Sequence, residues 1–274
     1  MRLATLIVTS LLCTTSVSAD ESIQYERVLL PVTTKGELPG DLGSRWTTRV
    51  SILNNTGNVV DIQGYASYPH GCPILCGHEL TAPGITFYPS VAPGAVTQGA
   101  ILRIERRYSE GVEVHLRVQD VSRQSQTWGT EVPVVREKDL YQSTLNLLDI
   151  PTGSAFRQRL RIYDVDARSD SRVRVRFYRV NAATDTTADF FNPPAADVLI
   201  AERIIQLTTE RRVESPTYDL GYAELANLAA SVPELQSFDL VRIEITPQTA
   251  GLRFWSFVSV TNNETQHVTI ISPH

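Results

Sequence analysis

The chain has 274 residues, with 25 Lys and Arg against 30 Asp and Glu, for a formal net charge of -5. So mild an acidic balance argues against a dedicated nucleic-acid binder, which needs a basic face. The length is long for one sandwich domain and comfortable for two.

The N-terminus reads as an address. Met1 and Arg2 supply a short positive region, and Leu3 to Leu12 is mostly apolar. Val17-Ser18-Ala19 then places small residues at the two positions a signal peptidase reads. This predicts a removable signal peptide over residues 1–19, a mature chain from Asp20, and export to the periplasm or outside the cell. A lipoprotein anchor at Cys13 would want a small residue before it, and Leu12 stands there. Past Ala19 no apolar run approaches the roughly 20 residues of a transmembrane helix.

The mature chain is patterned in period two. Trp46, Thr48, Val50 and Ile52 alternate with Arg45, Thr47, Arg49 and Ser51. Val112, Val114, Leu116 and Val118 alternate with Glu113, His115, Arg117 and Gln119. Leu160 and Ile162 alternate with Arg159 and Arg161, and Val173, Val175 and Phe177 with Arg172, Arg174 and Arg176. Val241, Ile243 and Ile245 close the series. Such runs put one side of a strand on a core and the other in water. Asn55-Thr56-Gly57-Asn58, Pro93-Gly94 and Ser109-Glu110-Gly111 punctuate them as turns. One segment departs from the rule. From Tyr222 to Ala230, Leu225 and Leu228 stand three apart and Val232 follows, which predicts a short amphipathic helix ended before Pro233.

An internal repeat organises the chain. Gly43-Ser44-Arg45-Trp46 and the strand after it match Gly153-Ser154-Ala155-Phe156 and its strand. Val112 to Val118, then Trp128, echoes Leu240 to Ile245, then Trp255. The expected fold is therefore all-β: two tandem antiparallel β-sandwiches over residues 20–137 and 138–274, with one short helix in the second. The run Leu30-Pro31-Val32, Pro39-Gly40, Gly43-Ser44-Arg45-Trp46-Thr47, closed by Val260 to Thr265, resembles tandem immunoglobulin-like modules of secreted bacterial proteins. That resemblance implies fold and address and supplies no functional residues.

Three places invite chemistry. In His70-Gly-Cys72-Pro-Ile-Leu-Cys76-Gly-His78, four soft or borderline ligands fall within nine residues. One reading is a copper or zinc site on His70, Cys72, Cys76 and His78. The other is a Cys72–Cys76 disulfide, favoured by an oxidising compartment and by the crowding of four ligands in one loop. Second, Arg157 to Arg179 holds eight arginines and three aspartates. Arg157, Arg159 and Arg161 on one strand, with Arg172, Arg174 and Arg176 on the next, would form an anion-binding plate if their faces align. In opposite sheets the plate vanishes. Third, Asp164-Val-Asp166-Ala-Arg168-Ser-Asp170 starts like a calcium loop, but Arg168, Ser169 and Val175 occupy positions that need a ligand, a glycine and a glutamate, so it reads as a turn.

No catalytic template is present: no Gly-x-Ser-x-Gly elbow, no His-Glu-x-x-His, no phosphate loop. The expectation is a non-enzymatic exported module that recognises a protein or glycan through loops and sheet faces, without a cofactor. Its rivals are a metal-handling protein and a periplasmic assembly chaperone that works by strand addition.

Overall fold

β-branched and aromatic residues in alternating runs pack well on a pleated, half-buried surface, and these runs are the strands. The computed structural model of the chain describes residues 24–34, 36–64, 78–87, 98–123, 128–180, 197–210, 220–237 and 240–273. The first half carries β1 (Tyr25–Leu30), β2 (Leu38–Pro39), β3 (Arg45–Asn54), β4 (Val60–Gly64), β5 (His78–Thr81), β6 (Thr86–Phe87), β7 (Ala100–Glu105), β8 (Val112–Asp120), β9 (Thr130–Val132) and β10 (Val135–Arg136). The second half carries β11 (Leu145–Pro151), β12 (Phe156–Asp164), β13 (Arg172–Arg179), β14 (Val198–Gln206), β15 (Thr208–Glu210), β16 (Leu220–Ala226), α1 (Leu228–Ser231), β17 (Leu240–Pro247), β18 (Phe254–Asn262) and β19 (Val268–Ile271).

The strands form four antiparallel sheets. Their orders are β10-β1-β7-β4-β5 and β2-β3-β8-β9 in the first half, then β11-β17-β13-β14 and β15-β16-β12-β18-β19 in the second. No described strand pairs across the gap between Arg136 and Leu145. Each half closes two sheets over its own core. Val28, Leu30, Ile52, Ile62, Ile104 and Leu116 fill the first, and Leu147, Ile162, Val175, Phe177, Ile243 and Val258 fill the second. In β11 the alternation shifts between Leu147 and Ile150, where a bulge with Asp149 at φ 56° returns an apolar side chain to the core.

The two halves repeat one strand order. β1-β7-β4-β5 matches β11-β17-β13-β14, and β3-β8-β9 matches β12-β18-β19. The Gly-Ser-x-aromatic repeat falls on equivalent strands, β3 and β12. The second echo does not: Val112 to Val118 is β8, whose counterpart is β18, whereas Leu240 to Ile245 is β17, the counterpart of β7. Trp128 and Trp255 are accordingly unrelated positions. The predicted helix from Tyr222 to Ala230 is corrected as well. Residues 220–226 are β16, paired with β12 from Gly221↔Asp164 to Ala226↔Arg159, and only Leu228–Ser231 is helical. Among the described residues no helix is long and apolar enough to cross a membrane.

The β1 sheet is buried on both faces. One covers the first core. The other presents Leu29, Ile101 and Val135 to Tyr163, Trp255 and Phe257 of the β12 sheet, in a third apolar cluster shared by both halves. The Tyr163 and Phe257 rings stack with centroids 6.3 Å apart, and Trp255 lies 5.4 Å from Phe257. The Tyr163 hydroxyl donates to the Pro31 carbonyl, and Thr130 Oγ1 donates to Val268 O at 2.6 Å.

Candidate functional site

Two surfaces gather polar groups around aromatic side chains. The first is the outer face of the β3 sheet. Residues of one parity, Arg49 and Ser51 on β3, His115 and Arg117 on β8, and Glu131 on β9, point away from the core and surround a shallow depression of ≈ 270 Å³ with Trp128 at its side. Trp128 is 65% exposed, a large ring left in water. Its position is set by the backbone. Gln119 Nε2 donates to Trp128 O at 3.1 Å, and the next residue, Gly129, has φ 88° with no room for a side chain. A Cβ there would lie 2.3 Å from Val118 O. The Arg49 guanidinium stands 6.0 Å from the indole centroid. Glu131 is held by His115 Nδ1 at 3.0 Å and Arg117 Nη2 at 3.4 Å.

The second is a cleft of ≈ 380 Å³ between the halves. Val32, Trp46 and Thr48 line it from the first half, and Arg157, Arg159, Arg161, Phe257 and Ser259 from the second. Arg161 is 6% exposed. Its Nε lies 3.1 Å from Glu224, its Nη1 donates to Ser259 Oγ at 3.4 Å, and its guanidinium stands 5.6 Å from the Phe257 centroid. Arg159 Nε reaches the other Glu224 oxygen at 3.2 Å, and the Tyr222 hydroxyl donates to the same carboxylate. Burial pushes the Tyr222 phenol up and Arg161 pulls it down, while the bond to Glu224 helps keep it raised. Burial opposes the Arg161 charge, and Tyr163, Tyr222 and Glu224 outweigh it, so its pKa is raised. Arg157 donates to Gln266 Oε1 at 2.8 Å and stands 3.7 Å from the exposed Asp41.

Elsewhere along the junction an ion network ties the halves. Arg27 of β1 reaches Glu137 at 2.9 Å, Val165 O at 2.7 Å and Asp166 at 2.8 Å, and Arg253 reaches Asp166 at 2.5 Å. Burial raises the Asp166 carboxyl, but its bonds from Arg253 and Arg27 prevail and lower it to about 2. Asp164 is engaged too. It accepts the backbone N–H of Asp166 at 2.8 Å and of Arg168 at 2.9 Å, plus the Ser171 hydroxyl. These oxygens organise a turn between β12 and β13.

The six arginines do not make one plate. β12 and β13 belong to different sheets, so Arg157, Arg159 and Arg161 face the first half while Arg172, Arg174 and Arg176 lie on the far sheet. Arg176 is paired there with Glu202 at 2.6 Å and Glu244 at 3.5 Å. His70, Cys72 and Cys76 lie outside the described residues, and His78 opens β5 opposite Gln63. Among the described residues no group of three or more His, Cys, Asp or Glu is placed to hold a metal ion. Sequence reasoning missed Glu224, which lies 63 residues beyond Arg161 and within the segment read as helix. It also missed Trp128 as an exposed ring. No family model, curated protein or solved structure matches the chain.

Proposed function

We propose that the protein is a non-enzymatic exported binding module that recognises a glycan on the outer face of its β3 sheet. The observation that carries the reading is Trp128, 65% exposed beside a depression lined by Arg49, Ser51, His115, Arg117 and Glu131. An exposed indole offers a flat apolar face to the C–H side of a sugar ring at little entropic cost. The side chains around it are donors and acceptors suited to hydroxyls, and the ion pairs on Glu131 hold several in place. A depression this small and polar suits a sugar unit better than a protein interface, which needs about 800 Å² on each partner. The tandem-sandwich resemblance and the N-terminal apolar run support an exported address. The test is affinity electrophoresis of the mature protein through gels containing cell-wall and extracellular polysaccharides. Retardation by one of them, lost in Trp128→Ala with an unchanged melting temperature, supports the reading. Unretarded migration of the parent in every gel, or equal retardation of both proteins, rejects it.

A second reading has its own support. β14 pairs with β13 on one side and, among the described residues, with no strand on the other. It carries Val198, Leu199 and Ile204 at 54%, 49% and 58% exposure. A long edge strand with apolar side chains is a template for an added strand, as a chaperone of secreted subunits would need. A client that co-purifies from native cells, and is lost in Ile204→Lys, would favour this reading. A client-free, monodisperse preparation would count against it.

A further inference from the structure

We infer that the cleft between the halves is a binding site for a small organic carboxylate with an apolar body, a site separate from the Trp128 face and independent of it. Arg157, Arg159 and Arg161 project from one face of β12 at every second residue, with Glu224 and the exposed Asp41 as their acidic partners. Three guanidiniums against two carboxylates leave one positive charge over.

The donors are also in excess. Glu224 already engages Arg159, Arg161 and the Tyr222 hydroxyl, three of its roughly four lone-pair sites. Each arginine carries five N–H donors, and among the described residues Arg159 commits only Nε, to Glu224. Its fork is left to meet an incoming anion in the bidentate geometry that guanidinium and carboxylate share. Arg161, 6% exposed, is the built part of the site: a cation kept in a water-poor setting by one shared carboxylate. Its burial strengthens the local field because screening there is weak.

The rest of the cleft selects the body of the ligand. Val32, Trp46, Phe257 and Ile270 form apolar walls, and Thr48, Ser259 and Thr261 place hydroxyls among them. The volume of ≈ 380 Å³ suits a molecule of modest size, and sites of this kind occur preferentially where domains meet. Charge at one end and apolar walls around it match an amphiphilic acid better than a bare inorganic anion.

The experiment is isothermal titration of the full mature chain with 4-phenylbutyrate and with its neutral isostere 4-phenylbutanamide. Intrinsic fluorescence is followed in parallel, because Trp46 lines the cleft. The acid is expected to bind saturably and the amide roughly tenfold or more weakly, as loss of a charge-assisted bond dictates. Arg159→Gln, at a side chain 45% exposed, is expected to weaken the acid by about tenfold or more with an unchanged melting temperature. Arg157→Gln is the second variant, and it should weaken the acid in the same direction. Trp128→Ala should leave this binding unchanged, which separates the two sites. Equal affinity for acid and amide, absence of saturable binding of the acid, or parental affinity in both arginine variants would overturn the assignment.

Discussion

Asp166→Asn tests whether the ion network at the junction stabilises the fold. Asn keeps the shape of the side chain and removes the charge, taking the shared carboxylate from Arg253 and leaving Arg27 with Glu137 alone. In the folded protein the Asp166 carboxyl titrates at about 2, against an ordinary value of 3.8. By linkage that difference corresponds to about 2 kcal/mol, and partial access of water brings the expected contribution to about 1–1.5 kcal/mol. The sign follows from the direction. A carboxyl whose folded pKa is lowered stabilises the protein above its unfolded pKa. The contribution fades as pH falls from about 4 towards about 2. Urea denaturation of both proteins at about pH 6 and about pH 2.5 should show the variant less stable at the first pH, with the gap narrowed by more than half at the second. A gap of equal size at both values would show that packing, not charge, causes the loss. No gap at either would show that the network contributes nothing.

Phe177→Ala removes a fully buried ring from the second core and should cost about 3–5 kcal/mol in a denaturation midpoint series. Gly129→Ala forces a Cβ to 2.3 Å from Val118 O at a backbone φ of 88°, so the melting temperature and polysaccharide retardation should fall together. Intact mass of the exported protein, with and without alkylation, decides between the readings of Cys72 and Cys76. Two missing hydrogens and no alkylation identify a disulfide, whereas free thiols or mass lost on denaturation point to metal.

The strands were legible wherever one face meets a core and the other meets water. β13 shows this best: Val173, Val175 and Phe177 are fully buried, and Arg172, Arg174 and Arg176 stand between them. β16 was not legible, because both its faces are engaged. Leu225 packs on the second core while Tyr222 joins the cluster shared by the halves, so polar alternation disappears and the Leu225–Leu228 spacing imitates a helix. The cleft was hidden for a related reason. The arginines on β12 read as half of a plate shared with the next strand, and only tertiary contacts reveal that Arg161 is buried, with its carboxylate supplied by β16, four strands later in sequence and adjacent in the sheet. Trp128 shows the opposite failure: a tryptophan suggests a core position, and this one stands in water.

The joint between the halves is head to tail. The first half offers its β1 sheet and the second its β12 sheet, which is the counterpart of β3 rather than of β1. A contact between unlike faces of like modules has no built-in end, and in a repeating array it would continue into a fibre. The two faces left over are the outer sides of the β3 and β13 sheets. Where the joint has Tyr163, Trp255 and Phe257, they carry Arg49, His115, Arg117 and Glu131 at one end and Arg176, Glu202 and Glu244 at the other. Charged groups on these two faces leave each unlike the apolar face it would have to meet, as on the polar outer repeats of a solenoid.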